Sequence, residues 1–312
     1  NPKKWQDIID KILDDYNGFS GTIYKTLKSK GDYGKFIVFN DKYSQQFWAK
    51  ENGIKFNNQW ENNILLSQIK FYKPNVIFMD IGTYNNTNII FTDYAKKVVV
   101  WAGVQPEYFD TKRMNILVTD QNDILVDYRE KIRKTIIASP GFNKKILEKI
   151  NIRKNKKNAI IFLGTISLKH TYRINILYDL LKNNFPIEIY ADVVKPSTKK
   201  FINNKIGFFK RIFWLIKNFD IYFKIKFISK KSHPPVFGLD YYSKLSENMI
   251  ILNIHIDHAA NVGANMRMFE ATGVGGCLVT DNKVDVNKYF DVGDEVIVFD
   301  NINDLKEKLT LL

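Results

Sequence analysis

Between Arg267 and Asn282 the chain reads RMFEATGVGGCLVTDN, which sets one carboxylate, Glu270, just ahead of a glycine-rich turn. The spacing predicts a helix over Arg267–Thr272, ended by Gly273, Gly275 and Gly276, then a short buried strand over Cys277–Thr280. Glycines at such a turn let backbone and ligand approach closely, and the layout suits a nucleotide-sugar site. The plainer reading is an ordinary helix, loop and strand with a solvated Glu270.

A second stretch with chemistry is GTISLKHTYR, residues 164–173. A strand over Ala159–Leu163, a loop around Gly164 and Thr165, and a helix over Tyr172–Lys182 together form an anion site, because free amides and the positive end of the helix dipole face the loop. Lys169, His170 and Arg173 add charge suited to a diphosphate. Arg173 is the preferred contact, since a guanidinium grips phosphate with two donors.

The third stretch is HIDHAANVGANMR, residues 255–267. His258, Asn261, Asn265 and Arg267 follow a predicted strand end. A neutral imidazole there can hydrogen-bond a sugar hydroxyl or act as base near pH 7, which favours His258. His255 lies inside the apolar run ILNIHI and reads as a core histidine. The chain has no Asp-x-Asp pair and no clustered Cys and His set, so no metal site is expected. Lys169, Arg173 and helix N-termini would then stabilise a departing diphosphate.

These residues need a scaffold. Several short β-rich runs, KFIVFN (35–40), NVIFMDIG (75–82), KKVVVWAG (96–103), MNILVTD (114–120) and KTIIASP (134–140), alternate with helical patterns in the first half. The second half continues with AIIFLGTIS, PIEIYADV, MIILNIHID, CLVTD and EVIVFD. Such alternation predicts two α/β domains with parallel sheets, whose ligands sit beyond the strand C-terminal ends. The basic segment NIRKNKKN (151–158) marks the expected boundary, giving domains 1–150 and 151–312.

Composition bounds the rest. The 312 residues are 45% hydrophobic and carry a formal charge of +14, which favours an anionic partner such as a nucleotide, a nucleic acid or an acidic membrane surface. No nucleic-acid motif accompanies the charge. A lone cysteine, Cys277, excludes an intrachain disulfide framework and fits a cytoplasmic setting. No apolar run reaches the length of a membrane span. Asn1 is not a start methionine and Leu312 ends within a helical pattern, so the chain reads as trimmed or processed. Between 199 and 231 ten lysines and arginines face one acid, Asp220, while Phe209, Phe213, Ile216, Phe219, Phe223 and Phe227 recur at near-helical spacing. This insertion reads either as a basic amphipathic helix on the inner face of an anionic membrane or as a packed aromatic stripe with solvated lysines.

Four blocks in order resemble the GT-B glycosyltransferases, and within them the CgeB type with a glycosyltransferase-like C-terminal domain: FLGTISLKHTYRINILYDLL, VFGLDYYSKLSENMIILNIH, NMRMFEATGVGGCLVTD and KYFDVGDEVIVFDNINDLKEKL. The first half is similar to the acceptor-side domain through LLSQIKFYKPNVIFMD and IIASPGFNKKILEKI. The resemblance implies two Rossmann-like domains across a cleft, with the nucleotide sugar held on the C-terminal one by Gly164, Thr165, Lys169, His170, Arg173, Gly238, Asn265 and Glu270. It also implies transfer to a saccharide or lipid-linked acceptor in surface glycan synthesis, with no cofactor beyond the donor and a UDP-sugar favoured. Retaining members commonly carry two glutamates with seven residues between them, the second binding the ribose. Glu270 matches the second; the first falls on Val262. That departure leaves the sugar contact and the stereochemistry open, with His258, Asn261 and Arg267 as the candidate catalytic groups. A nucleotide-sugar 2-epimerase and a non-catalytic sugar-nucleotide or glycan-binding module remain as alternatives.

Overall fold

A computed structural model describes residues 2–103, 111–120, 132, 134–152, 155–194, 208–257, 263 and 265–312, without the side chains of 112 and 208–218. The chain forms two compact units, Asn1–Pro140 and Gly141–Leu312.

Unit 1 opens with a helical layer: α1 (Trp5–Asp14), α2 (Phe19–Ser29), α3 (Lys42–Glu51) and α4 (Trp60–Tyr72). Trp5, Ile9 and Leu13 share one face of α1 and pack with Trp48 and Ile64, a burial that favours the helices more than their own propensity does. A parallel sheet follows, β1 (Val76–Asp80), then a one-turn α5 (Ile81–Asn85), β2 (Lys97–Trp101), β3 (Ile116–Thr119) and β4 (Lys134–Ile137), in the order β1-β2-β3-β4. The run KFIVFN forms no strand. Phe36, Ile37 and Phe39 instead fill gaps between the helical layer and the sheet, so packing overrides their β propensity.

Unit 2 comprises β5 (Lys157–Ile166), α6 (Thr171–Lys182), β6 (Ile187–Val193), α7 (Phe208–Lys231), α8 (Gly238–Glu247), β7 (Asn248–Asn253), α9 (Met266–Gly273), β8 (Cys277–Asp281), β9 (Val296–Phe299) and α10 (Ile302–Leu311). All pairings are parallel in the order β6-β5-β7-β8-β9. Ile160–Leu163 of β5 are buried in succession, as a strand covered on both faces requires. The chain leaves β5 for β6 on one side and returns to β7 on the other. The β5/β7 strand ends therefore form the switch point where open α/β sheets hold ligands.

The division between the units falls ten residues before the expected boundary, after Pro140 in place of 150. Residues 141–150, expected in the first domain, belong to unit 2: Phe142 stacks edge-on against Tyr242, and Ile146 and Ile150 are buried. The C-terminal part of the basic segment 151–158 is built into unit 2. Lys157 begins β5, and Lys156 Nζ donates to the Val274 and Gly275 carbonyls (3.1 and 2.6 Å), a cation closing the negative end of α9.

The aromatic pattern of 199–231 splits. Residues 199–207 lie outside the described set, while the described half of α7 buries Ile225 and Ile228 and stacks Phe223 and Phe227 on Tyr178 of α6. Phe219, Tyr222 and Phe223 remain exposed beside Lys226 and Lys230. No described helix is long and apolar enough to cross a membrane.

Candidate functional site

The polar side chains of unit 2 gather at the C-terminal ends of β5, β7 and β8. Arg173, on the first turn of α6, is buried and donates through one terminal nitrogen to the Thr165 carbonyl (2.8 Å) and through the other to the Ile254 carbonyl (2.6 Å). It thereby ties the end of β5 to the chain leaving β7. Burial, then the nearby Arg267, push its pKa down to about 10, so it stays charged at neutral pH. Its terminal donors are directed to backbone carbonyls, which differs from the diphosphate grip expected from sequence. Lys169 is exposed and makes no ion pair among the described residues. His170 Nδ1 lies 3.3 Å from the Thr165 carbonyl and 3.4 Å from Ser167 Oγ. The first-turn amide of α6, at Tyr172, already meets a carboxylate, Asp257 Oδ2 at 3.2 Å.

Glu270 is 8% exposed. Tyr241 Oη donates to its Oε2 at 2.5 Å, Tyr242 Oη donates to Oε1 at 3.3 Å, and Arg267 Nε lies 3.6 Å from Oε2. Arg267 also donates to the Leu163 carbonyl (2.7 Å) and lies over the Tyr241 ring. Burial first, and then the Glu270 carboxylate, push both tyrosine pKa values up, so both phenols remain donors. The plain reading of a solvated Glu270 is thus wrong: it is the anionic centre of a buried network. Gly238 supplies the φ of +57° at the start of α8 that brings Tyr241 and Tyr242 to it. The two tyrosines were missed because YY in GLDYYSK carries no signal until α8 is placed beside α9.

Asn265 caps α9 by accepting the Met268 amide and donates to Asn253 Oδ1, whose own amide reaches Thr280. Gly164 leaves room for its neighbours, a Cβ there meeting the Phe162 ring at 3.2 Å. The glycines of the opening motif serve the protein's own packing: a Cβ on Gly273 would fall 2.3 Å from the Phe142 ring, and one on Gly276 2.3 Å from Ile251, while Gly275 takes φ +71°.

Another missed pair is His255 and Asp281, at the ends of β7 and β8. Asp281 Oδ1 accepts from the His255 backbone amide (2.9 Å) and lies 2.7 Å from Nδ1, and Lys283 is 3.7 Å from Oδ2. Burial is the largest influence on the Asp281 pKa and raises it, but the hydrogen bonds and charge of His255 together with the Lys283 charge bring the net direction down. His255 Nε2 is buried and has no partner among the described residues, while Asp281 orients the imidazole through Nδ1. His258 and Asn261 lie outside the described residues. Among the described residues, no group of three or more His, Cys, Asp or Glu side chains is arranged around a metal position.

In unit 1, Asp120 follows β3 and is buried with Oδ1 unpartnered, and burial raises its pKa to about 6. It too sits at a strand C-terminal end.

Residues 213–312 match a family model described as glycosyl transferase-like. The matched segment is 100 of the 312 residues. It spans α8, β7, α9, β8 and β9, and so contains Gly238, Asn265, Arg267 and Glu270. The match and the two parallel-sheet α/β units agree with the GT-B class that the sequence blocks resemble. No curated protein sequence matches the chain. Similar solved structures include AviGT4, a glycosyltransferase involved in avilamycin A biosynthesis (TM-score 0.49, 10% identity, 83% of this chain and 71% of that one). Another is a UDP-forming α,α-trehalose-phosphate synthase from Burkholderia xenovorans in complex with glucose-6-phosphate (0.48, 10%, 86% and 70%). A third is Anabaena HepE in complex with UDP and glucose (0.46, 10%, 85% and 78%). At such TM-scores these likenesses add no weight to any ligand or residue role.

Proposed function

We propose that this chain is a glycosyltransferase that moves a sugar from a nucleoside diphosphate sugar, with UDP the favoured nucleotide, to a saccharide or lipid-linked acceptor in surface glycan synthesis. The observation that carries the reading is the overlap of two facts: the glycosyl transferase-like segment 213–312 contains Glu270, and Glu270 is buried and held by Tyr241, Tyr242 and Arg267 at the switch-point end of the sheet.

In this reading the nucleotide lies over the ends of β5 and β7, with the ribose toward Glu270 and the diphosphate toward Lys169 and His170. The acceptor oxygen bonds to the anomeric carbon as the bond to the phosphate oxygen breaks, and the electron pair leaves with the diphosphate. Fixed positive charge, from Lys169 with Arg173 and Arg267 behind it, stabilises that leaving group without a divalent ion. His258 takes the acceptor proton, Asn261 and Arg267 orient the sugar, and the Asp281-oriented His255 supports the same strand end. The exposed Phe219, Tyr222 and Phe223 with Lys226 and Lys230 would rest on an anionic membrane surface on its cytoplasmic side.

The test is nucleoside diphosphate release from a panel of nucleotide sugars, with and without EDTA. Release from one donor, unaffected by EDTA, is expected. Loss in EDTA with recovery in magnesium would overturn the metal-free step. A changed sugar configuration would identify an epimerase, and binding without turnover a binding module.

A further inference from the structure

Unit 1 contains a cavity of about 500 Å³ between α1, α3, α4 and the segment around Tyr33. This volume is within the ordinary range of small-molecule sites. Half of its lining is aromatic. Tyr33 is 84% exposed and Phe71 60% exposed, unusual for rings that could have been buried in the adjoining helical core, while Trp5, Trp48 and Tyr72 form the wall behind them. Trp5 is only 3% exposed, yet its indole N–H finds no acceptor among the described residues. Such a buried orphan donor is costly unless something completes it.

The polar groups narrow the ligand. Lys4 and Lys35 stand against Glu51, whose Oε2 accepts the Trp5 amide, and Lys35 Nζ lies over the Tyr33 and Tyr72 rings at 5.9 and 5.6 Å. An aromatic cage for a cation is therefore already served by the protein's own lysine. Beyond Lys35, the lining leaves Lys4 and Glu51 with opposite charges, which favours no strongly charged ligand. What remains is a neutral ligand with a flat C–H face for the rings and an edge of hydroxyls that both donate and accept. We propose that this cavity is a saccharide-binding site.

Its place within unit 1 is away from the strand ends where ligands of open α/β sheets sit. Phe71 and Tyr72 end α4 just before β1 starts at Val76, so the cavity lies beside the N-terminal edge of the sheet, away from the strand ends that carry Asp80 and Asp120. A saccharide bound there anchors glycan to the protein. The choice of a saccharide rests on the cavity's own chemistry, not on the proposed activity.

The test applies the full chain and its Tyr33→Ala/Phe71→Ala variant to a printed array of neutral oligosaccharides, then measures the strongest hit by calorimetry. Both replaced rings are largely exposed, so the variant is expected to fold, which its melting profile checks. The wild type should bind array glycans, and the variant should lose them or bind at least about tenfold more weakly, with nucleoside diphosphate binding by unit 2 unchanged. An array on which the wild type binds nothing, or on which both proteins give the same pattern, would overturn the proposal. Neither result touches the nucleotide site, whose own failure would appear as absent nucleotide binding.

Discussion

Removing the phenol oxygen of Tyr241 should measurably loosen unit 2, because that oxygen is the shortest hydrogen bond to a buried carboxylate in the structure's candidate site. Tyr241→Phe deletes a 2.5 Å charge-assisted bond and leaves Glu270 Oε2 with only Arg267 Nε at 3.6 Å. Hydrogen bonds to charged groups are worth about 1.5–3 kcal/mol net, so that is the expected cost. Tyr242→Phe removes the longer, 3.3 Å bond and should cost about 1 kcal/mol. Glu270→Ala orphans both phenols and the Nε of Arg267, for about 3–5 kcal/mol. In a unit of this size each kcal/mol lowers the melting temperature by about 2–4 °C, so differential scanning calorimetry can rank the three. A double-mutant cycle between Tyr241→Phe and Glu270→Gln should give a coupling of about 1–2 kcal/mol. Stability of Tyr241→Phe within about 0.5 kcal/mol of wild type, together with no coupling, would show that Glu270 is not held as described.

Other substitutions probe separate parts of the account. Gly273→Ala should cost about 1–3 kcal/mol through its 2.3 Å approach to the Phe142 ring, and Phe142→Leu in the same chain should recover part of it; a neutral Gly273→Ala melt would remove the packing role. Lys169→Ala should leave the melt within about 0.5 kcal/mol of wild type yet weaken nucleoside diphosphate binding several-fold, whereas Arg173→Ala, which orphans two carbonyls, should lower the melting temperature itself. The same melt for both variants would dissolve the distinction. Asp120 has a folded pKa of about 6 against 3.8 for the ordinary carboxyl, so the folded state holds the extra proton between those values. Its contribution to stability is then fully present below pH 3.8 and lost as pH rises through 6, by up to about 3 kcal/mol. Asp120→Asn should therefore gain on wild type in melting scans between pH 4.5 and 7.5; parallel curves would contradict the burial argument.

Much of the fold was legible because strand and helix periods are written locally. NVIFMDIG, KKVVVWAG, MNILVTD and KTIIASP became β1 to β4, and the five β-rich runs of the second half became β5 to β9. KFIVFN failed because Phe36, Ile37 and Phe39 found apolar partners in the helical layer, which no local pattern reveals. The site was legible by position and less so by role. Glu270, Arg267 and Asn265 do gather at the switch-point end, yet Asn265 is a helix cap and Arg173 a clamp between two chain ends. Such roles depend on which carbonyls face the side chain, a tertiary fact. Tyr241, Tyr242, Asp281 and Asp257 were invisible for the same reason: each meets its partner only across elements separated in sequence by 26 to 85 residues.

The central claim is that a nucleoside diphosphate binds over the β5 and β7 ends of unit 2. Calorimetric titration with UDP, GDP, ADP, CDP and dTDP, followed by hydrogen exchange with the tightest binder, addresses it directly. One nucleotide should bind and slow exchange in peptides covering 163–173 and 265–271. Protection confined to unit 1, or no binding by any of the five, would contradict the account.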